Sequence, residues 1–381
     1  MDYIYREITP SIEHGANYYP VVVISGPAGS GKSTLCRHVF ASYKAYDLTD
    51  LALREKIMLD PRGFLKDCGE KTILNELQHI PELVSFIRME VDEHPERRFI
   101  LTGSNRYDLM ESITKSLAVR AAMYTLLPLS ISELEGASGV STDTLLFNGF
   151  FPSVASGLIP ASEFHSKYYT TYVERDVRRL RNLTDIAQFQ KFMRILAGRV
   201  GSELNASQIA GEIGVSSPTV KSWIGLLETS YIALQLHPYF ININKRLTKT
   251  PKVYFHDTGL LCFLLGIRNA EQLSVHPLRG AIFENVAVIE LLKRRFNDGK
   301  LSNIYFYREN KGREVDIVQE FGAGLDIYEV RSSQTFNKSF LRNLDYLQRL
   351  LGDRVSSRHL VYDGDPIPPY AINIRRIADA R

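Results

Sequence analysis

An α/β protein of more than one domain is the fold the sequence predicts, and three observations carry it. The first is the run Val21-Val-Val-Ile-Ser-Gly-Pro-Ala-Gly-Ser-Gly-Lys-Ser-Thr34. In it four apolar β-formers lead into a glycine-rich turn and then an amphipathic segment with Leu35, Val39 and Phe40 on one side. The second is a pair of further apolar runs, Lys71–Gln78 and Arg98–Asn105, each turning polar at its end, as strands of a parallel sheet do at a ligand crevice. The third is length: 381 residues exceed one typical core, so two or three domains are expected.

Composition narrows the class. Apolar residues at 44% and charged residues at 23% are ordinary for a globular chain, and a formal charge of +3 leaves any nucleic-acid surface to local clustering. Cys36, Cys68 and Cys262 lie far apart with no C-x-x-C pair, which fits a reducing cytoplasm and neither a disulfide framework nor a zinc site. No apolar run approaches the roughly 20 residues that span a bilayer, and the start Met1-Asp-Tyr-Ile-Tyr lacks a signal-peptide core. A cytoplasmic protein without a membrane partner is the expectation.

Gly26 through Ser33 match G-x-x-x-x-G-K-[ST], and each position has a mechanical reason. Gly26, Gly29 and Gly31 permit positive φ and bring N–H groups up to phosphates seated at the positive end of the next helix. Lys32 would reach the β- and γ-phosphates, and Ser33 would place its hydroxyl on Mg²⁺. Ser30 and Thr34 complete the candidate cradle for ATP. Further along, Asn75 and Glu76 fall where a P-loop ATPase needs two acidic side chains. Glu76 suits the one that polarises the attacking water. Asn75 can bond a metal-bound water but supplies no charge, so nucleotide binding should survive while hydrolysis is slow. Thr102, Ser104 or Asn105, at the end of the next strand, would sense the γ-phosphate. Arg120 offers a planar cation that either completes a neighbouring subunit's site or caps a helix at the surface.

These residues resemble, in order, a prokaryotic family of AAA-type ATPases. The resemblance rests on the P-loop, Ile73-Leu-Asn-Glu-Leu-Gln-His-Ile-Pro-Glu-Leu83, Leu101-Thr-Gly-Ser104, Ser116-Leu-Ala-Val-Arg120 and Leu127-Pro-Leu-Ser130. In that family an ATPase domain precedes a winged-helix segment and a C-terminal domain of unknown function with a restriction-endonuclease-like core. The resemblance implies a P-loop AAA-type parallel sheet domain over 1–155, a helical and winged-helix domain over 156–272, and an α/β nuclease-like domain over 273–381. It implies Lys32 and Ser33 as nucleotide and Mg²⁺ contacts, Glu76 as catalytic base, Ser104 as sensor and Arg120 as a finger. Asn75 replaces the family's aspartate and Val119 its glycine.

In the middle segment, Ser207 through Leu227 have the shape of a helix-turn-helix. Ile209, Ala210 and Ile213 form one apolar face, Gly214 makes the turn, Ser216 or Ser217 caps, and Val220, Trp223, Ile224 and Leu227 face inward. Ser217, Thr219, Lys221 and Ser222 would meet a major groove, and Lys245 through Lys252 add four positive charges at a wing hairpin. Packing use and DNA contact both stay open. Arg175, Arg178, Arg179 and Arg181 are read as a solvated face because Glu174 and Asp176 interrupt them. Asp257 is read as a helix cap.

In the last segment, Glu284 on a long helix, Asp316 on a strand and Glu329-x-Arg331 on the next resemble the site pattern of the PD-(D/E)xK nuclease fold. Such a site gathers carboxylates around Mg²⁺. Arg331 stands where that pattern has lysine, and an arginine does not reproduce a compact ammonium. A nuclease-like fold used for structure or binding is therefore expected over an active nuclease, and Ile374–Arg381 reads as a final strand. The whole reads as a Mg²⁺-dependent, ATP-binding AAA-type NTPase, slow in hydrolysis, with a homo-oligomer as an open partner. The alternatives are a nucleotide-gated DNA-binding regulator and a Mg²⁺-dependent DNA nuclease.

Overall fold

Strand β1 (Val21–Ser25) is buried at every position, as a parallel strand covered on both faces must be. The structure, a computed structural model, describes residues 3–104, 113, 116–134, 139–177, 186–240, 250–309 and 312–380. Asn105, Arg178, Arg179, Arg181 and the greater part of the expected wing, residues 245–249, lie outside those residues. The chain divides into two compact units, the first comprising Met1–Pro128 with Thr229–Tyr231 and Phe296–Lys300, the second comprising the remainder.

The first unit is built on a five-stranded, wholly parallel sheet in the order β2-β3-β4-β1-β5, with β2 at Lys44–Asp47, β3 at Lys71–Asn75, β4 at Arg98–Gly103 and β5 at Ala121–Thr125. The period of two in a strand sends alternate side chains to opposite faces. Val21, Val23, Leu74, Phe99 and Leu101 pack with Ile57, Phe64, Leu83 and Ile87, from helices α3 (Leu51–Leu59), α4 (Pro61–Cys68) and α5 (Leu83–Glu93). Val22, Ile24, Ile73 and Ile100 pack with Ile12 and Leu35, from α1 (Thr9–Tyr18) and α2 (Lys32–Val39). Each fully buried aliphatic side chain contributes about 1.5–3 kcal/mol. Local chemistry starts the helices. Asp50 accepts from the amides of Ala52 and Leu53 to cap α3, and Asp60, followed by Pro61, accepts from Gly63 to cap α4.

The second unit carries helices α6 (Thr142–Asn148), α7 (Ala161–Tyr168), which continues as a π-helical stretch Tyr169–Val177, α8 (Ile186–Ala197), α9 (Ala206–Ile213) and α10 (Ser217–Thr229). Asn205 caps α9 through the amide of Gln208, Gly214 ends it at φ 85°, and Ser216 accepts from Thr219 at the start of α10. Val220, Trp223, Ile224 and Leu227 are buried. Strands β6 (Ala233–Leu236) and β7 (Lys252–Phe255) pair antiparallel, and Asp257 caps α11 (Thr258–Leu264).

Helix α12 (Arg279–Asn297) then leads into a second, mixed sheet in the order β12-β11-β10-β9-β8. Its strands are β8 (Ile304–Arg308), β9 (Glu314–Phe321), β10 (Gly324–Arg331), β11 (Val355–Tyr362) and β12 (Ala371–Asn373), with α13 (Arg342–Leu351) placing Leu344 and Leu347 in its core. The last strand comes earlier than its sequence suggests. Residues Ile374–Asp379 form 3₁₀ turns, begun by Asn373 accepting from the amide of Arg375, a local Asx bond that competes with continued strand pairing.

Candidate functional site

The carboxyl ends of β1, β3 and β4 gather the first set of residues. Beyond Ser25 the chain turns through Gly26, Gly29 and Gly31, with φ of 156°, 80° and 97°. A Cβ on Gly26 would lie 2.1 Å from the carbonyl oxygen of Leu126, so this turn passes too close to the neighbouring strand's exit for any side chain. Gly31 is the N-cap of α2, and Lys32, Ser33 and Thr34 form its first turn. The Lys32 ammonium donates to the carbonyls of Gly26 and Pro27, both at 2.9 Å, inside the loop it follows. Burial lowers its pKa to about 8, with Glu76 acting in the opposite direction. Ser30 is fully buried and its hydroxyl has no hydrogen-bond partner. Ser33 is half-buried and Thr34 exposed.

Asn75 and Glu76 meet residues of β4 directly. Thr102 donates to Asn75 at 3.1 Å and accepts from the Glu76 amide at 3.2 Å. Glu76 sits at φ 58°, ψ 50°, in the left-handed region, which aims its side chain off the end of the strand. Its Oε2 accepts from Ser104 Oγ and from Gln78 Nε2, each at 2.5 Å. The candidate base and the candidate sensor are thus one hydrogen-bonded set.

Arg120 stands elsewhere. Its carbonyl accepts from the amide of Val21, the first residue of β1, and its guanidinium pairs with Asp92 of α5 at 2.5 and 3.1 Å. Gly26 leaves the other end of that strand, about 16 Å along at ordinary strand rise. Within its own chain Arg120 does not reach the cradle.

Three contributors escape sequence reasoning. Arg6, buried, donates to the carbonyls of Ser30 and Leu127, both at 2.7 Å, and so ties the loop to the exit of β5. Tyr231 donates its hydroxyl to Ser25 at 2.7 Å, and Ser25 donates to the carbonyl of Tyr124 at 3.2 Å. Gln78 holds Glu76. Only Gln78 has a local signal, two residues from the acid it bonds.

A second group forms in the C-terminal sheet and α12. Glu284, Glu314 and Asp316 each bring a carboxylate oxygen within 4.8 Å of the others. Glu314 was missed in the sequence although it shares a strand face with Asp316 two residues on. The ammonium of Lys252 lies among them, 3.0 Å from Glu284 and in an ion pair with Glu314, and Tyr254 donates to Glu284 at 2.5 Å. Asp316 accepts from the amide of Val330 at 2.7 Å and from Arg331 at 3.4 Å, and Arg331 also pairs with Glu329. Asn343 donates to Glu329 at 3.3 Å.

Burial raises the pKa of Asp316 well above the carboxylate range, reinforced by Glu284 and Glu329. Burial lifts Glu329 to about 7 against the pull of Arg331. Burial works against the Lys252 ammonium, but Glu284, Glu314 and Asp316 outweigh it and the group is held above its ordinary value. The three acids expected from the sequence pattern, Glu284, Asp316 and Glu329, with Arg331 in the lysine position, are therefore brought together, and Glu314 and a second cation, Lys252, join them.

Comparison with known proteins follows the same division. Residues 18–135 match the AAA domain, residues 140–271 a domain of unknown function (DUF8612), and residues 279–377 another (DUF4143). The uncharacterized protein Rv2008c of Mycobacterium tuberculosis is 29% identical over 341 residues, covering 87% of this chain and 74% of its own, and the uncharacterized protein Mb2031c of Mycobacterium bovis matches to the same extent. Among solved structures, the Walker-type ATPase PABY2304 of Pyrococcus abyssi aligns at a TM-score of 0.50 with 15% identity, over 69% of this chain and 96% of that one. That likeness is one of fold. Among the described residues no helix is long and apolar enough to cross a membrane.

Proposed function

Because the N-terminal part of this chain is an AAA-type P-loop ATPase domain, followed by a C-terminal α/β domain of unknown function with a mixed sheet, we propose that the protein binds and slowly hydrolyses ATP with Mg²⁺ at the cradle of Gly26 to Thr34. The observation that carries this reading is the loop itself. Its three positive-φ glycines, its buried Lys32 and the unpartnered hydroxyl of Ser30 converge where α2 begins.

Triphosphate binding would draw the Lys32 ammonium from the carbonyls of Gly26 and Pro27 onto phosphate oxygens, exchanging neutral acceptors for charged ones. The oxygen donors near the loop, Ser33 and the amide oxygen of Asn75, fit a hydrated Mg²⁺, which when bound neutralises charge on the β- and γ-phosphates. Glu76 would orient and deprotonate the attacking water. Ser104 and Gln78, which already hold one of its oxygens, would set its direction, and Ser104 would report the γ-phosphate. Slow turnover follows from Asn75, a neutral amide engaged with Thr102 where a carboxylate would add charge. Arg120, far from its own loop, would serve only a second subunit of a homo-oligomer.

The division into 1–155, 156–272 and 273–381 belongs to this reading; three successive family matches support three parts in that order, with the middle match beginning at residue 140. Helices α9 and α10 with the β6–β7 pair support a winged-helix module used for packing. Of Ser217, Thr219, Lys221 and Ser222, the residues that would face a groove, only Lys221 is basic, and phosphate contacts supply much of DNA affinity. The mixed sheet with Glu284, Asp316, Glu329 and Arg331 supports a nuclease-like fold that does no cutting.

The test is ligand-dependent stability. ATP with magnesium should raise the melting temperature of the wild type by several degrees at saturating concentration, and Lys32→Ala should lose that rise while keeping the ligand-free melting temperature. Equal stabilisation of both proteins would refute nucleotide binding at this loop.

A further inference from the structure

The carboxylate cluster of the second unit already contains a cation supplied by the chain. Glu284 comes from α12, Glu314 and Asp316 from β9, and their oxygens approach within 4.8 Å of one another, the spacing of ligands that share one ion. The Lys252 side chain, from β7, is 3% exposed, with its ammonium 3.0 Å from Glu284 and paired with Glu314. Two residues along the same strand Tyr254 donates to the same Glu284 oxygen at 2.5 Å. Arg331, from β10, covers Asp316 and Glu329, and Arg308 lies 3.7 Å from Glu314.

A divalent ion would need several of these oxygens at roughly 2.0–2.6 Å, and a lysine nitrogen at hydrogen-bond distance from the same oxygens fills that volume. The residues present therefore do not fit the metal that a nuclease-like site implies. We propose that Lys252 is the resident cation of this cluster, closing it to divalent metal and pinning β7 to α12 and β9. An ammonium is suited to the place because it is a compact point charge with three donors, whereas a guanidinium is planar and wider. The converse is that the carboxylates are a metal site masked by one side chain. Taking that side chain away removes the cation held between Glu284 and Glu314 beside buried Asp316, and a divalent ion becomes the nearest substitute. The inference rests on unit-two geometry alone and stands or falls apart from nucleotide binding.

The experiment uses the full chain without nucleotide, titrated with Mn²⁺ while the free-ion electron paramagnetic resonance signal and the melting temperature are followed. Wild type and Glu314→Gln should take up equal Mn²⁺. Lys252→Met should take up one ion more, lose it in the double variant with Glu314→Gln, and melt several degrees higher with Mn²⁺ than without. Lys252→Arg, which keeps a cation, should take up no extra ion. A wild-type Mn²⁺ site that Glu314→Gln removes overturns the proposal, as does folded Lys252→Met with no extra ion. Should Lys252→Met fail to fold, wild type against Glu314→Gln decides alone: equal uptake supports the proposal and a lost site refutes it.

Discussion

Lys32 is a cation held in a place that disfavours charge, and this gives the nucleotide site a pH signature. With its pKa lowered by burial from 10.5 to about 8, the ligand-free lysine becomes neutral as pH rises through 8, and phosphate binding must then restore the proton. ATP affinity should fall about tenfold between pH 7 and pH 9, as one proton taken up per ligand requires. The sign for stability is opposite. Between 8 and 10.5 the unfolded chain holds a proton that the folded chain has released, so this group's contribution to ligand-free stability increases with pH. Calorimetric titration at the two pH values checks the first statement; an unchanged affinity would mean that the loop keeps Lys32 charged.

Asn75 carries the second prediction at this scale. Asn75→Asp places a carboxylate at the end of β3 with nearly the same shape, beside Thr102, which can donate to it as it does to the amide. Turnover should rise by one to several orders of magnitude, about the range that well-placed electrostatic groups supply. A phosphate-release assay in which both proteins turn over equally would move the limit to another step. These residues were legible because the loop is continuous in sequence and every position in it has a stereochemical duty. Arg6 and Lys252 were not legible, since nothing within a few positions of either one signals a partner 24 or 32 residues away.

At the scale of elements, helix α12 is anchored to strand β7 by an amide side chain as well as by the Glu284 contacts with Lys252 and Tyr254. Asn285, fully buried, accepts from the Phe255 amide at 2.7 Å and donates to the Phe255 carbonyl at 2.8 Å, satisfying both main-chain groups of a strand edge. Asn285→Ala would leave two buried polar groups unpaired at about 1–3 kcal/mol each, so a loss of roughly 2–5 kcal/mol is expected. Chemical denaturation measures it, and a loss under 1 kcal/mol would mean that water replaces the side chain.

The long helix, the strands β1, β3 and β4 and the strands that carry Asp316 and Glu329 were readable from their periods, whereas β11 and β12 were not. Limits showed where local bonds decide. In α3 only Ile57 is buried, while Leu51 and Met58, which share the apolar pattern, are exposed. The end of β3 was placed too far along because Glu76 leaves the strand in a left-handed turn, and no residue type there announces positive φ.

For the whole molecule, the order of parts along the chain was legible, because the P-loop, the Gly214 turn and the strands after residue 300 each carry their own pattern. The membership of the first unit was not. It takes in Thr229–Tyr231 and Phe296–Lys300 besides the first 128 residues, and contacts between segments so distant leave no periodic trace. Tyr231 adopts φ 55°, a conformation costly for an aromatic residue, and its hydroxyl reaches the residue just before Gly26 across 206 positions of sequence. A gene fragment ending at codon 155 would therefore encode every residue of the proposed phosphate cradle and still yield an incomplete body, missing the buttress that fixes Ser25.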